Sequence, residues 1–374
     1  MSTTLADEPT LVARILDHID ANTTDRSAAV WREPVANYVS PARFEAEVSR
    51  ALRRTPTPFC PSAALPEAGS YVARDAALTP ILAVRGADGR VRAFRNACRH
   101  RGAQLVEGMG CKAALTCRYH AWTYGLDGRL RGVPHEDGFP GLDKAAHGLV
   151  PVTAVEKAGL LFVTQDGASD GGLEADPIPD LFGPEWRLIG VSSQEIPANW
   201  KVVTDGVLEG YHIRSTHAET FFPRQYDNLN VIEHFGRNSR ISYPFRAIEK
   251  QRGLPPADRT AERGLTHLYH FFPNVAVATF PTHRTLAVFE PLAVDRTRTV
   301  TYTLTRRGAD EASQASVTKG KDFVAAGLDE DQEVQIAVQR GLAARANEVF
   351  TFGLFEGALR HFHRNLAEAL DAAN

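Results

Sequence analysis

The sequence predicts an α+β protein of two domains, a small all-β domain followed by an antiparallel sheet backed by helices. Three observations carry that expectation. Helical residues at 10–57, where "PARFEAEVSRALRR" opens on a proline with apolar positions at helical spacing, give way to short strands. "PILAVRGADGRVRAFRN" joins an apolar run, a Gly/Asp turn and an alternating run into a hairpin signal, and "GLLFVTQ" closes the region as a further strand. After "ASDGGLEADPIPDLFGPE", which reads as a linker, helical residues around 199–220 precede several strands in "THLYHFFPNVAVATFPTHRTLAVFEPLAVDRTRTVTYTLT", and two helices follow from about 321 to 371. The expected divisions are an N-terminal helical segment at 1–44 packed on the last domain, an all-β domain at 45–160, and a larger domain at 161–374.

Composition narrows the function classes. Hydrophobic residues make up 43% and charged residues 23% of 374, close to ordinary folded proteins, so neither disorder nor a fibrous class is indicated. A net charge of −3 and a pI near 6.5 attract no polyanion, and no Lys/Arg block suggests nucleic acid or a lipid surface. The start is acidic without an apolar h-region, and no run approaches the ~18 apolar residues of a membrane span. A cytoplasmic location is expected. Cys60, Cys98, Cys111 and Cys117 are too few and too unevenly placed for a disulfide framework, so clustered Cys with nearby His reads first as metal binding.

The strongest chemistry lies in "CRHRGAQLVEGMGCKAALTCRYHAW". Cys98 and His100 are separated by one residue, Cys117 and His120 by two, and sixteen residues lie between the pairs. Each of two short loops offers one thiolate and one imidazole. Zinc takes the same ligand set, but zinc fingers usually place both Cys on one loop and both His on a helix. Mixed loops suit a two-iron, two-sulfide cluster in which the thiolates hold one iron and the imidazoles the other. Scattered core residues are the plain alternative.

On these residues the chain resembles the Rieske non-haem iron oxygenases, in particular their large catalytic (alpha) subunit: "CRHRG" followed by "CRYHAWTYGLDGRL" is similar to that family's cluster signature. The resemblance implies a small all-β Rieske [2Fe–2S] domain and a helix-grip (START-like) catalytic domain with C-terminal helices. It implies that Cys98, His100, Cys117 and His120 bind the cluster, and that Trp122 and Tyr124 place polar tips at its edge. Arg118 stands where many relatives have proline. Cys60 and Cys111 match no ligand position and read as small buried apolar residues.

The family also has a mononuclear Fe(II) site, which "NWKVVTDGVLEGYHIRSTH" resembles. His212 and His217 match its two histidine ligands. Glu209, three residues before the first, shares a helical face with His212 and can accept its second ring N–H. The resemblance makes Glu209 a bridge to a cluster histidine, His120, of a neighbouring subunit, which requires a ring of subunits such as a homotrimer. On an ideal helix five residues turn about 140° past a full turn, so the helix must bend or end between the two histidines. Asp205 reads as a helix-start carboxylate or an acceptor behind the ligands.

A facial triad needs one carboxylate. In "GLDEDQEVQIAVQRGL", Asp331 shares a helical face with Val334, Gln335, Val338 and Leu342, and Glu330 is nearly as well placed. Resemblance separates them: the family carries an acidic pair ahead of "QRGL" with the second acid as ligand, which falls on Asp331. Asp329, Glu330 and Glu333 read as acids decorating a helix N-terminus.

The expected activity is that of a terminal oxygenase: O2 and electrons from a separate NAD(P)H-dependent reductase, with or without a ferredoxin, hydroxylate or oxidatively dealkylate a small organic substrate. No nucleotide fingerprint occurs in the chain itself. Phe221, Phe222, Phe271, Phe272, Phe280 and Phe289 lie in segments that should surround the iron; they could stack an aryl ring or cage a quaternary ammonium, but such residues are more often simply core. Glu209, where ring-dihydroxylating relatives usually have Asp, is similar to the branch acting on carnitine, choline-type and betaine substrates. His234, His267, His270 and His283 read as core or surface histidines. The alternatives are a cis-dihydroxylating dioxygenase and, outside enzymes, a small-molecule carrier clipped by zinc.

Overall fold

A computed structural model describes residues 5–167, 173, 177–308 and 311–372. They form two compact units: Met1–Leu52, Ala175–Ile178 and Ile189–Asn374 make one, Arg53–Glu174 and Pro179–Leu188 the other. Eight of the eighteen residues of "ASDGGLEADPIPDLFGPE" lie outside the described residues. In the part described, Leu181 and Phe182 are buried, so this stretch is packed as well as linking.

The N-terminal segment belongs to the larger unit. Helix α1 (Glu8–Ala21) is capped by Asp7, which accepts from Thr10 N–H, and buries Leu11, Val12, Ile15 and Leu16. The region expected to be helical also contains a strand, β1 (Trp31–Pro34). Its partner lies more than three hundred residues away in sequence, at Val349–Phe352, so no local pattern announces it. Helices α2 (Ala36–Val39) and α3 (Pro41–Ala46) follow, the second capped by Ser40 with Pro41 in its first turn. A π-helical turn, Glu47–Leu52, ends the segment.

The smaller unit is all β, as expected. Strands β2 (Thr57–Pro61), β3 (Ser70–Ala76), β4 (Thr79–Arg85), β5 (Val91–Arg95), β6 (Gly108–Cys111), β7 (Leu115–Thr116), β8 (Thr123–Tyr124), β9 (Leu130–Gly132), β10 (Pro151–Lys157) and β11 (Leu160–Thr164) build two sheets. One has the order β2-β11-β10-β5-β4-β3-β6 and the other β7-β8-β9. The β4–β5 hairpin turns at the Gly/Asp pair read from the sequence. Its core joins Leu82, Val84 and Phe94 to Leu115, Trp122, Tyr124 and both Cys98 and Cys117. Cys60 is buried, but Cys111 is exposed on edge strand β6, correcting the expectation for it. An edge strand has one unpaired side, and "GMGC" has too little side chain to cover it.

The larger unit is built on a seven-stranded sheet, β12-β18-β17-β16-β15-β14-β13, antiparallel from β13 to β18. After β12 (Trp186–Ile196) the chain forms α4 (Trp200–Val207) and a single turn, α5 (Ile213–Thr216). Strands β13 (Val231–Phe235), β14 (Asn238–Pro244), β15 (Leu265–Phe271), β16 (Val275–Thr279), β17 (Arg284–Ala293) and β18 (Arg296–Arg306) meander outward and back. The 33-residue α6 (Glu311–Ala343), the short β19 (Val349–Phe352) and α7 (Gly357–Asp371) complete it. A helix lying over an antiparallel sheet is the helix-grip arrangement, and Val202, Val203, Phe289 and Leu342 seal α4 and α6 onto it. Beneath α4, Lys201 and Glu47 are both fully buried with Nζ and Oε2 2.7 Å apart. Trp200 Nε1 and Arg43 Nε donate to the same carboxylate, so this buried charge is fully paired.

Candidate metal centres

In the β unit the two ligand loops close by one backbone pattern. Cys98 N–H donates to Ala103 O while Gly102 N–H donates to Cys98 O; Cys117 N–H donates to Trp122 O while Ala121 N–H donates to Cys117 O. Gly102 and Ala121 hold the same place in these turns, and both have positive φ, 78° and 56°. The turns bury both thiols and bring the rings of His100 and His120 to a centroid distance of 4.7 Å. Tyr124 Oη lies 3.3 Å from Cys98 Sγ and accepts from Arg99 N–H. Burial and the neighbouring Cys98 sulfur push the Tyr124 phenol above its usual range, which keeps it a donor. Trp122 stacks on His100, with ring centroids 4.8 Å apart. Arg118 points to solvent near Glu107 and touches neither loop partner. Two buried sulfurs beside two imidazoles that make no hydrogen bond among the described residues fit a cofactor taking sulfur from one side and nitrogen from the other.

The second group is in the larger unit. His212 Nε2 and His217 Nε2 are 3.2 Å apart, and Asp331 Oδ1 lies 3.4 Å from the first and 3.1 Å from the second. Sequence spacing alone did not bring the histidines together: α4 ends at Val207, and His212 and His217 bracket the one turn of α5. Glu209 therefore meets His212 from a loop, not from a shared helix face. One of its oxygens takes His212 Nδ1–H, the other the backbone N–H groups of Tyr211 and His212.

Glu330 corrects the expectation that it decorates a helix start. Residues 329–333 lie deep inside α6, and Glu330 Oε2 accepts from His217 Nδ1 at 2.8 Å and from Thr220 Oγ1 at 2.5 Å. Consecutive helix residues point about 100° apart, so Glu330 and Asp331 reach opposite nitrogens of His217. Both imidazoles are thus held by carboxylates through Nδ1, leaving the Nε2 lone pairs to converge with Asp331 on one point. That crowding of acceptors fits a cation. Burial works against charge on His212, but Asp331 and Glu209 outweigh it and raise its pKa to about 10. Burial likewise opposes charge on Asp331, yet the two imidazoles hold its carboxyl below the usual range. A proton and a metal ion compete for His212.

Asp205 is near the end of α4, not at a helix start; its carboxylate accepts from Tyr38 Oη at 2.6 Å and faces His363 Nε2 at 2.9 Å. A cavity of about 240 Å³ opens between β12, β17, β18 and α6 and reaches Asp331. Of the six phenylalanines expected around the iron, Phe289 alone lines it. Phe271 and Phe272 are core, Phe221 packs on His217 at 4.5 Å, and Phe280 stacks on His283 at 4.7 Å. His283, expected to be an ordinary core histidine, lines the cavity; the other three are engaged elsewhere, His267 with Ser242, His270 with Pro273 O and His234 with Ser239 and His361.

Residues 183–372, just over half of the chain, match the ring hydroxylating alpha subunit (catalytic domain) model, and residues 55–152 match the Rieske [2Fe–2S] domain. The chain belongs to the ring-hydroxylating alpha-subunit family. This Rieske oxygenase is similar to the carnitine monooxygenase oxygenase subunit of Acinetobacter baumannii, 29% identical over 326 residues, 84% of this chain and 86% of the relative. Its fold is similar to a quaternary ammonium Rieske monooxygenase (TM-score 0.77, 22% identity, 99% of this chain and 100% of the other). The fold is also similar to that of naphthalene 1,2-dioxygenase from Rhodococcus sp. (TM-score 0.75, 20% identity, 97% of this chain and 98% of the other). The Rieske oxygenase is the terminal component of its system and carries a [2Fe–2S] cluster and a mononuclear iron. The zinc-clipped carrier is thereby set aside. Among the described residues no helix is long and apolar enough to cross a membrane.

Proposed function

We propose that Cys98, His100, Cys117 and His120 hold the cluster, that His212, His217 and Asp331 hold the iron, and that the chain monooxygenates a small polar substrate. The convergence of His212 Nε2, His217 Nε2 and Asp331 Oδ1 within 3.4 Å carries this reading. When bound, the iron supplies dioxygen activation and the cluster supplies single electrons. Around them, Glu209 and Glu330 hold the imidazoles in one tautomer and orientation. Three protein ligands would leave further positions of the iron free, and one of the three, Asp331, lines the cavity. Monooxygenation is favoured by the carnitine-oxidising relative and by Glu209 at the bridging position. A wall with one aromatic side chain offers little for stacking a flat hydrocarbon, which disfavours cis-dihydroxylation.

Glu209 is the bridge by which electrons reach the iron from a neighbouring subunit's His120, so the working assembly is a ring, in the simplest case a homotrimer fed by a separate reductase. His120 is exposed, and exposed Tyr119 and Tyr211 stand beside the two ends of that route, as an interface would require. His212→Ala should keep the cluster's visible absorption, lose the mononuclear iron and abolish product. Retention of that iron would overturn the ligand assignment. Glu209→Gln should keep both metals while slowing single-turnover reoxidation of the cluster, and an unchanged rate would remove the bridging role.

A further inference from the structure

The cavity beside Asp331 carries a charge pattern that the metal site does not use. Strand β18 sends Thr299, Thr301 and Thr303 into it, and Thr285, paired with Thr303, continues the row on β17. The opposite faces of β18, Val300, Tyr302 and Leu304, are buried apolar residues. Hydroxyls and methyls thus alternate along the wall where an apolar core would otherwise be expected. Three buried polar atoms on this lining have no partner: His283 Nε2, Thr299 Oγ1 and Gln335 Oε1. A buried polar atom without a partner is costly, and a ligand's polar groups would relieve that cost here.

The end farthest from Asp331 carries His283 and Lys321. His283 is 1% exposed, its Nδ1 lies 3.2 Å from Thr282 Oγ1, and Phe280 stacks on its ring. Helix α6 packs tightly here at Gly320, where a Cβ would meet His283 Cε1 at 3.3 Å and Thr282 Oγ1 at 3.4 Å. The next residue, Lys321, lines the mouth and has no acidic partner among the described residues. Burial and then the Lys321 charge lower the His283 pKa to about 4, so its ring is neutral and can donate from Nε2. The acids on the lining, Asp329 and Asp331, are eight and ten residues further along α6.

We infer that Lys321 and His283 form an anion anchor, and that the substrate is a short aliphatic molecule with a carboxylate at one end and its reacting carbon at the other. This rests on the reading of Asp331 as an iron ligand. Ten helical residues rise about 15 Å and the Lys321 side chain spans part of that, so anchor and reacting carbon lie on the order of 10 Å apart. The single aromatic on the wall provides no cage, so a cationic group is not what the far end recognises.

Calorimetric titration of the holoenzyme with 6-hydroxyhexanoate, 6-hydroxyhexanamide and (6-hydroxyhexyl)trimethylammonium tests the anchor. The carboxylate should bind tightest. Lys321→Gln should weaken it about 10- to 100-fold, the worth of one charged hydrogen bond, leaving the amide unchanged, and Lys321→Arg should restore it. His283→Gln, measured the same way, should weaken the carboxylate with Lys321 intact. Carboxylate binding no tighter than the amide, or unaffected by Lys321→Gln, overturns the proposal. Iron content of the same preparations separates the two readings: full iron without a carboxylate preference rejects the anchor alone, whereas protein whose iron survives His212→Ala rejects the site beneath it.

Discussion

His217 is gripped at both ring nitrogens by neighbouring acids of one helix: Glu330 Oε2 lies 2.8 Å from Nδ1, and Asp331 Oδ1 lies 3.1 Å from Nε2. The first fixes the tautomer and the second shares the metal. Glu330→Ala should therefore lower iron affinity about 10- to 100-fold, with Glu330→Gln in between, because the ring loses its orienting acceptor. Competitive chelator titration measures this, and the cluster's absorption should not change.

At the matched place in the turns around Cys98 and Cys117 stand glycine at 102 and alanine at 121, both at positive φ. A Cβ in that region costs roughly 1 kcal/mol or more. Ala121→Gly should stabilise the β unit by about that amount, and Gly102→Ala, whose added Cβ would touch nothing within 4 Å, should destabilise it by a similar amount. Denaturant unfolding followed by cluster absorption reads both.

Lys201→Met would leave the Glu47 carboxylate buried without its closest partner. The expected cost is about 3–5 kcal/mol. Lys201→Met combined with Glu47→Gln should recover much of it, which thermal unfolding of the two variants would show.

Acid should unfold the larger unit early. Burial lowers the pKa of His267 to about 3 and of His270 to about 4, against an ordinary 6.5. Both are neutral in the fold and gain a proton on unfolding once pH falls below about 6.5. Their contribution is thus complete above 6.5 and is lost progressively down to pH 3–4. His270→Gln should flatten this slope in thermal melts taken across that range, although it also removes the bond to Pro273 O.

The sequence disclosed what local pattern encodes. The β4–β5 hairpin, the Ser40–Pro41 helix start and the paired Cys/His loops all appear where turn chemistry and spacing put them. Resemblance chose Asp331 over Glu330, because helical periodicity favours neither. What stayed hidden depends on distant contacts. Strand β1 exists through pairing with β19, Glu330 has a role only once α6 crosses α5, and His283 faces a cavity only once β17 and α6 are brought together. The phenylalanines stayed ambiguous for a different reason, since aromatic residues mark a core as readily as a binding wall.

The four residues of α5 act as a spacer of fixed length. Arg214 is solvent-facing and Ser215 only bonds back to His212 O, so their identities are open to wide exchange. Inserting even one residue would swing His217 about 100° around the turn, and exchanges of Arg214 or Ser215 should prove milder than the smallest change in count.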